Sequence, residues 1–326
     1  MIGFALSAEQ QQFADAVHTM LTDADAMSAA RSWSDGDTAP GRALWRRLGD
    51  LGVTALPIPE KAGGLGAQPI DWVLACEELG HHAMPGPVAE TVAAVPVLLQ
   101  EHDLAAGLAD GTVLASLAAP PLVPYAVDAD LILHVASGEV RRGRPGSALS
   151  SVDRTRQLFP VTPGEVLFTD TGAAARACDA GALACAAQLL GAGRALLETT
   201  VAYAKQRVQF GRPIGQFQAV KHQLADVLIG LEFARPLLWR AALAFGDDEP
   251  TAARDVSAAK VACAAAADRA ARTALQVHGA IGYTLECDVG IWLLRVRALI
   301  PAWGDPSWHR ARVAASLGAA SLGAGV

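Results

Sequence analysis

Apolar residues recur at helical spacing through both ends of the chain, and at a shorter, strand-like period in between. Ser7-Ala8-Glu9-Gln10 forms a capping box, with Ser7 as the cap and Gln10 able to reach back to it. It predicts a helix to about Leu21 that carries Phe13, Val17 and Leu21 on one stripe. Further helices are expected over 41–51, over 69–80 with Trp72, Cys76 and Leu79 in phase, over 87–100, and briefly over 104–109. Pro and Gly break the connector 53–67. The runs 112–119, 131–138 and 164–170 are β-leaning and bounded by Pro, Gly or Asp. From Ala173 helical spacing returns, with Leu183, Leu190, Leu197 and Val201 in register. Breaks at 210–216, 246–251 and 278–284 then divide four helices, ending at about Ile300. Long helices with short connections lie antiparallel. The expected fold is mainly α with a small β domain: an N-terminal helical domain (1–110), a middle β domain (111–175) and a C-terminal antiparallel four-helix bundle (176–326).

Composition narrows the function classes. The chain has 326 residues, 52% hydrophobic and 18% charged, which suits a large packed core and excludes a disordered chain. A net charge of −7 without a basic stripe argues against a nucleic-acid binder. The densest basic cluster, Arg141, Arg142 and Arg144, reads as a solvated turn. No run of 18 uninterrupted apolar residues is present and the first residues lack a basic signal region, so a cytoplasmic protein without a membrane span is expected. The five cysteines show no CxxC spacing; Cys185 and Cys263 read as small core residues, and no metal site is expected. His81 and His82 are adjacent, cannot share one helical face, and predict a helix end rather than a metal pair.

Two segments are more specific. In Tyr203–Val227, Arg207 precedes Phe210-Gly211, and Ile214-Gly215-Gln216-Phe217-Gln218 opens a helix. In Gln276–Tyr283, Gln276, Gly279, Ala280 and Gly282 punctuate a turn about seventy residues later. Together they resemble the C-terminal bundle of the acyl-CoA dehydrogenase family, and the N-terminal "ALPIPEKAGGLGA" and "CEELG" resemble its helical domain. The resemblance implies FAD as cofactor, an acyl-CoA substrate and an electron-transfer-flavoprotein-type acceptor. In that family the two turns reach across a subunit interface to a neighbour's FAD. Carried over, Arg207, Gln209 and Phe210 would contact the partner's FAD, and Gln276, Gly279 and Ala280 would line its adenosine or pyrophosphate side. A guanidinium beside a glycine turn suits a pyrophosphate, because it combines a fork of donors with open backbone N–H groups.

The chain departs from the family pattern where catalysis is expected. The family removes an α-hydrogen with a carboxylate, and the two positions known to carry it correspond here to Trp303 and Gly181. Asp305 and Asp179 lie two residues away and are the weak substitutes. The β domain is shortened and lacks the family's own flavin-ring segments. Short, base-lacking chains of this kind resemble subunits of actinobacterial steroid side-chain acyl-CoA dehydrogenases, which pair with full-length chains as α2β2 heterotetramers. "LIPAWGDPSWHR" (299–310) resembles the tail of such subunits. The expectation is a subunit that desaturates an acyl-CoA only with a base-bearing partner. The alternatives are a self-sufficient homotetramer using an Asp base, and a flavin-free structural or CoA-binding relative.

Overall fold

A computed structural model describes residues 5–100, 102–118, 122–125, 128–284 and 286–323. The first part holds α1 (Ala8–Asp23), α2 (Ala26–Ser34), α3 (Ala39–Asp50) and α4 (Pro69–His81). The capping box of α1 is closed: Ser7 Oγ accepts from the Gln10 N–H at 3.2 Å, and Gln10 Oε1 accepts from the Ser7 N–H at 3.0 Å. Helix α2 was not expected from periodicity. Its N-cap, Asp25, stands in the left-handed region at φ 49° and accepts from the Ser28 N–H. The run 87–100 is not one helix but a π-helical turn (Glu90–Ala94) leading into α5 (Val95–Leu98).

Five strands make the middle sheet: β1 (Ala115–Ala118), β2 (Leu122–Pro124), β3 (Leu131–Ala136), β4 (Glu139–Pro145) and β5 (Leu158–Thr169), in the order β1-β3-β4-β5-β2. The β1–β3 pair is parallel; β3–β4, β4–β5 and β2–β5 are antiparallel. The basic cluster is therefore on a strand, β4, and not on a turn. Arg141 is paired with Glu139 at 2.8 Å.

The bundle comprises α6 (Thr171–Gln206), α7 (Gln218–Gly246), α8 (Ala252–His278) and α9 (Val289–Leu299), with an additional α10 (Pro306–Gly323) packed on α8. Helix α6 starts on the Asp170 cap, whose side chain accepts from the Ala173 N–H at 2.9 Å. It is long and apolar enough to cross a membrane by length and composition, although no 18 apolar residues in it are uninterrupted. Its most apolar window is 89% buried inside the protein, because α6 packs on both α4 and α8. The α4 contact is a backbone contact. A Cβ on Gly191 would lie 1.8 Å from the Glu77 carbonyl oxygen, and one on Gly80 would lie 2.2 Å from that of Gln188. Two glycines thus bring α4 against α6, and one hydrophobic cluster runs through the N-terminal helices and the bundle.

A buried ion pair ties α9 to the segment between β4 and β5. Arg295 is 1% exposed and bonds Asp153 through Nε, the Met84 carbonyl through Nη1 at 2.9 Å and Thr155 Oγ1 through Nη2 at 2.7 Å.

Candidate functional site

Helix α6 ends where Arg207 turns to extended backbone (φ −70°, ψ 117°). A short hairpin follows, with β6 (Val208–Gln209) paired to β7 (Arg212–Pro213). Phe210 and Gly211 sit between them at φ 53° and φ 79°, the two positive values of a primed two-residue turn, whose twist suits a hairpin. Glycine takes this conformation freely; a phenylalanine does not. Phe210 is nevertheless 91% exposed, touching Phe217 edge-on at 6.2 Å between ring centres. Arg207 and Gln209 are exposed beside it.

The second turn follows α8. Gln276, Gly279 and Ala280 are exposed, and Gly279 (φ 64°) has nothing within 4 Å of where a Cβ would stand. Both turns follow helix C-termini at the same end of the bundle. The Tyr203 ring, one turn before Arg207, stacks on the buried His278 at 4.2 Å. His278 is fixed in turn by donating from Nδ1 to the Ala274 carbonyl at 2.8 Å. Helix C-termini are electronegative, so an anion held there would depend on a cation, and the exposed Arg207 is a cation at this end. The side chains present fit a pyrophosphate: a guanidinium, two carboxamides and open backbone at Gly279.

The two positions that the resemblance matches to the family's base, 181 and 303, meet each other. Gly181 is buried on α6, and a Cβ there would lie 2.5 Å from two atoms of the Trp303 ring. One indole therefore fills the space at both. Trp303 adopts φ 59°, left-handed for a non-glycine residue, and packs against two hydrophobic clusters at once. Its carbonyl accepts from Nε2 of the fully buried His309 at 3.1 Å, and His309 Nδ1 is 3.0 Å from Ser257 Oγ. Burial lowers the His309 pKa to about 4, so the ring is neutral near pH 7. With Nε2–H donating, Nδ1 accepts the serine proton.

The two aspartates have other work. Asp305 caps α10: Oδ1 accepts from the Ser307 N–H at 2.8 Å, the Ser307 hydroxyl at 2.6 Å and the Trp308 N–H at 2.9 Å. These bonds hold its carboxyl below the usual range, the direction opposite to that of a desolvated base. Asp179 is engaged through both oxygens by Arg312.

A carboxylate that periodicity did not single out lies closer. Glu90, in the π-helical turn, is 3% exposed; burial raises its pKa, opposed by the charge of Arg156 and by hydrogen bonds that include one from the Trp303 side chain. Because the native state holds this proton more tightly than the unfolded chain, stability falls as pH rises from the usual value of 4.5 through the raised one. Glu90→Gln is expected to raise stability at neutral pH, with the gain vanishing below about pH 4.5. Urea unfolding of both proteins across this range checks it.

The two groups of residues are separated. Gly181 and Arg207 lie roughly 39 Å apart along α6 at 1.5 Å per residue.

This combination of N-terminal helices, a small sheet, a helical bundle and two exposed glycine turns defines an acyl-thioester oxidoreductase fold. Residues 7–101 match the acyl-CoA dehydrogenase N-terminal domain and residues 171–318 its C-terminal domain. Acyl-CoA dehydrogenase IpdE2 of Mycobacterium tuberculosis is 33% identical over 299 residues, 88% of this chain and 90% of that protein. The ChsE4–ChsE5 complex from the same species superposes with a TM-score of 0.84 at 24% identity, covering 97% of this chain and 99% of the other. The Tcur3481–Tcur3483 steroid acyl-CoA dehydrogenase variant superposes at 0.85 and 23% identity, covering 96% of this chain and 99% of the other. The chain belongs to the acyl-CoA dehydrogenase family, whose cofactor is FAD.

Proposed function

We propose that this chain is the non-base subunit of a heteromeric FAD-dependent acyl-CoA dehydrogenase that forms a 2,3-enoyl-CoA. The carrying observation is the Trp303 indole against Gly181, which fills both base positions with apolar atoms. A partner subunit of full length would bring the glutamate base and most of the flavin pocket. When bound, FAD supplies the two-electron oxidation, with an electron-transfer-flavoprotein-type protein as the acceptor beyond it. The part of this chain is to hold: Arg207 and Gln209 toward the pyrophosphate, Phe210 over an apolar edge, and Gln276, Gly279 and Ala280 along the adenosine side. Arg207 stands roughly 39 Å along α6 from the filled position, which favours service to a neighbour's site over the chain's own.

Helix α7 supports a partner. Leu228, Ile229, Phe233 and Leu237 are each 44–73% exposed, an apolar face that a lone subunit would leave in water (Leu237 at 44%, Phe233 at 73%). The resemblance to steroid-type dehydrogenases supports a bulky polycyclic acyl group as the substrate of the assembled enzyme. The test is purification of the full chain alone and co-expressed with a base-bearing homologue. The lone chain is expected to be colourless and inactive on acyl-CoA, and the co-expressed complex yellow and active. A yellow, active homo-oligomer of this chain would overturn the reading.

A further inference from the structure

Three histidines and a glutamate converge at the end of α4, far from any role in acyl-CoA chemistry. Helix α1 brings His18; α4 brings Glu78, His81 and, as its C-cap, His82. One nitrogen or oxygen of each lies within 4.8 Å of the others. The expectation that adjacent histidines cannot converge holds within a helix. It fails here because α4 stops at His81, which frees His82 from helical geometry.

Hydrogen bonding alone does not satisfy this cluster. His18 Nδ1 is 2.8 Å from Glu78 Oε2 and 3.2 Å from His82 Nε2. A ring nitrogen has one in-plane position, so a proton given to the carboxylate leaves nothing to accept from His82. His81 Nδ1 is buried and has no hydrogen-bond partner among the described residues. The opposite nitrogen of that ring, Nε2, is 2.8 Å from Glu198 Oε2 on α6. A carboxylate on the far nitrogen is the arrangement that orients a metal-bound imidazole. Arg194 bonds the other oxygen of Glu78 at 2.8 Å and also Glu77, which leaves Oε2 directed at the histidines.

From these contacts the geometry points to a zinc-class divalent metal site formed by His18, Glu78, His81 through Nδ1, and His82, with Glu198 orienting His81. Three imidazoles and a carboxylate suit zinc and exclude the hard, oxygen-seeking magnesium and calcium. Tetrahedral bonds of about 2.0–2.1 Å place ligand atoms about 3.3 Å apart, close to the His18–His82 separation. The C-terminal end of α4 adds a favourable partial negative charge. His18 is half-exposed, which gives an ion a way in. Bound there, the metal clamps α1 to α4 and acts on stability, not on turnover.

The full chain is equilibrated with Zn²⁺, freed of excess and assayed for metal; cobalt(II) is then loaded in its place. One zinc per chain is expected, with the intense visible absorption of four-coordinate cobalt and a higher melting temperature on metal addition. His18→Gln and His82→Gln are expected to abolish stoichiometric uptake and the melting shift. Glu198→Gln, at a mostly exposed carboxylate, is expected to weaken affinity about 10–100-fold. His18→Gln changes only a half-exposed side chain, and circular dichroism verifies its fold. Uptake well below one zinc per chain, a six-coordinate cobalt spectrum, or uptake unchanged in both histidine variants would overturn the assignment.

Discussion

Asp153→Ala is expected to destabilise the protein by about 3–5 kcal/mol, the usual result of leaving one partner of a buried ion pair uncompensated. Arg295 is 1% exposed and Asp153 3%, so water does not replace the lost carboxylate. The two remaining bonds of the guanidinium, to the Met84 carbonyl and Thr155 Oγ1, do not neutralise its charge. The double variant Asp153→Ala, Arg295→Met removes both charges and is expected to recover much of the loss, since a buried pair contributes little beyond an apolar replacement of similar volume. Urea unfolding of the two variants tests this. Equal losses in both would show that Arg295 matters through packing alone.

Phe210→Gly is expected to move two measurements in opposite directions. In the isolated chain it replaces a left-handed phenylalanine by the residue that takes φ 53° at no steric cost, and stability rises by about 1 kcal/mol. Little packing is lost, because Phe210 is 91% exposed. In the heteromer proposed above, the same change removes the apolar tip offered to the partner's flavin, and FAD is expected to dissociate at least about tenfold more readily, the equivalent of about 1.4 kcal/mol. Arg207→Ala is the companion, weakening FAD retention without the gain in stability. If Phe210→Gly leaves flavin retention unchanged, the hairpin has no cofactor role and its strained residue has no functional return.

The parts of this architecture that are legible in sequence are those with local causes. The bundle follows from Ala- and Leu-rich periodicity cut by Gly and Pro, and the observed α7 and α8 lie within about two residues of the expected spans. The hairpin and the α8 turn announce themselves through Phe210-Gly211 and Gly279. Strand β4 does not, because its text, Glu139 to Pro145, has no apolar alternation; pairing to β3 and β5 makes it a strand. Helix α10 has a local signal: Asp305 followed by Pro306 is an N-cap with proline at the first helical position, a stronger signal than a displaced base. Glu90 carried a weaker sign, a lone carboxylate inside an apolar run. The His18 cluster carried none, since sixty residues separate His18 from Glu78 and only the fold brings them together.

The contact between Trp303 and Gly181 also bears on how such a chain can evolve. The two positions that the family resemblance matches to a base converge on one point, and a single bulky ring occupies it. Restoring glutamate at 303 would exchange an indole for a smaller, charged side chain beside Glu90, which is already buried. Two carboxyl groups would then share one apolar enclosure, and neither would ionise readily. At position 181, any side chain at all collides with the ring. For the subunit role proposed above, self-sufficiency therefore has no single-step route through either position. For the heteromer proposed above, the indole would work as a ratchet, holding the dependence on a partner by sterics.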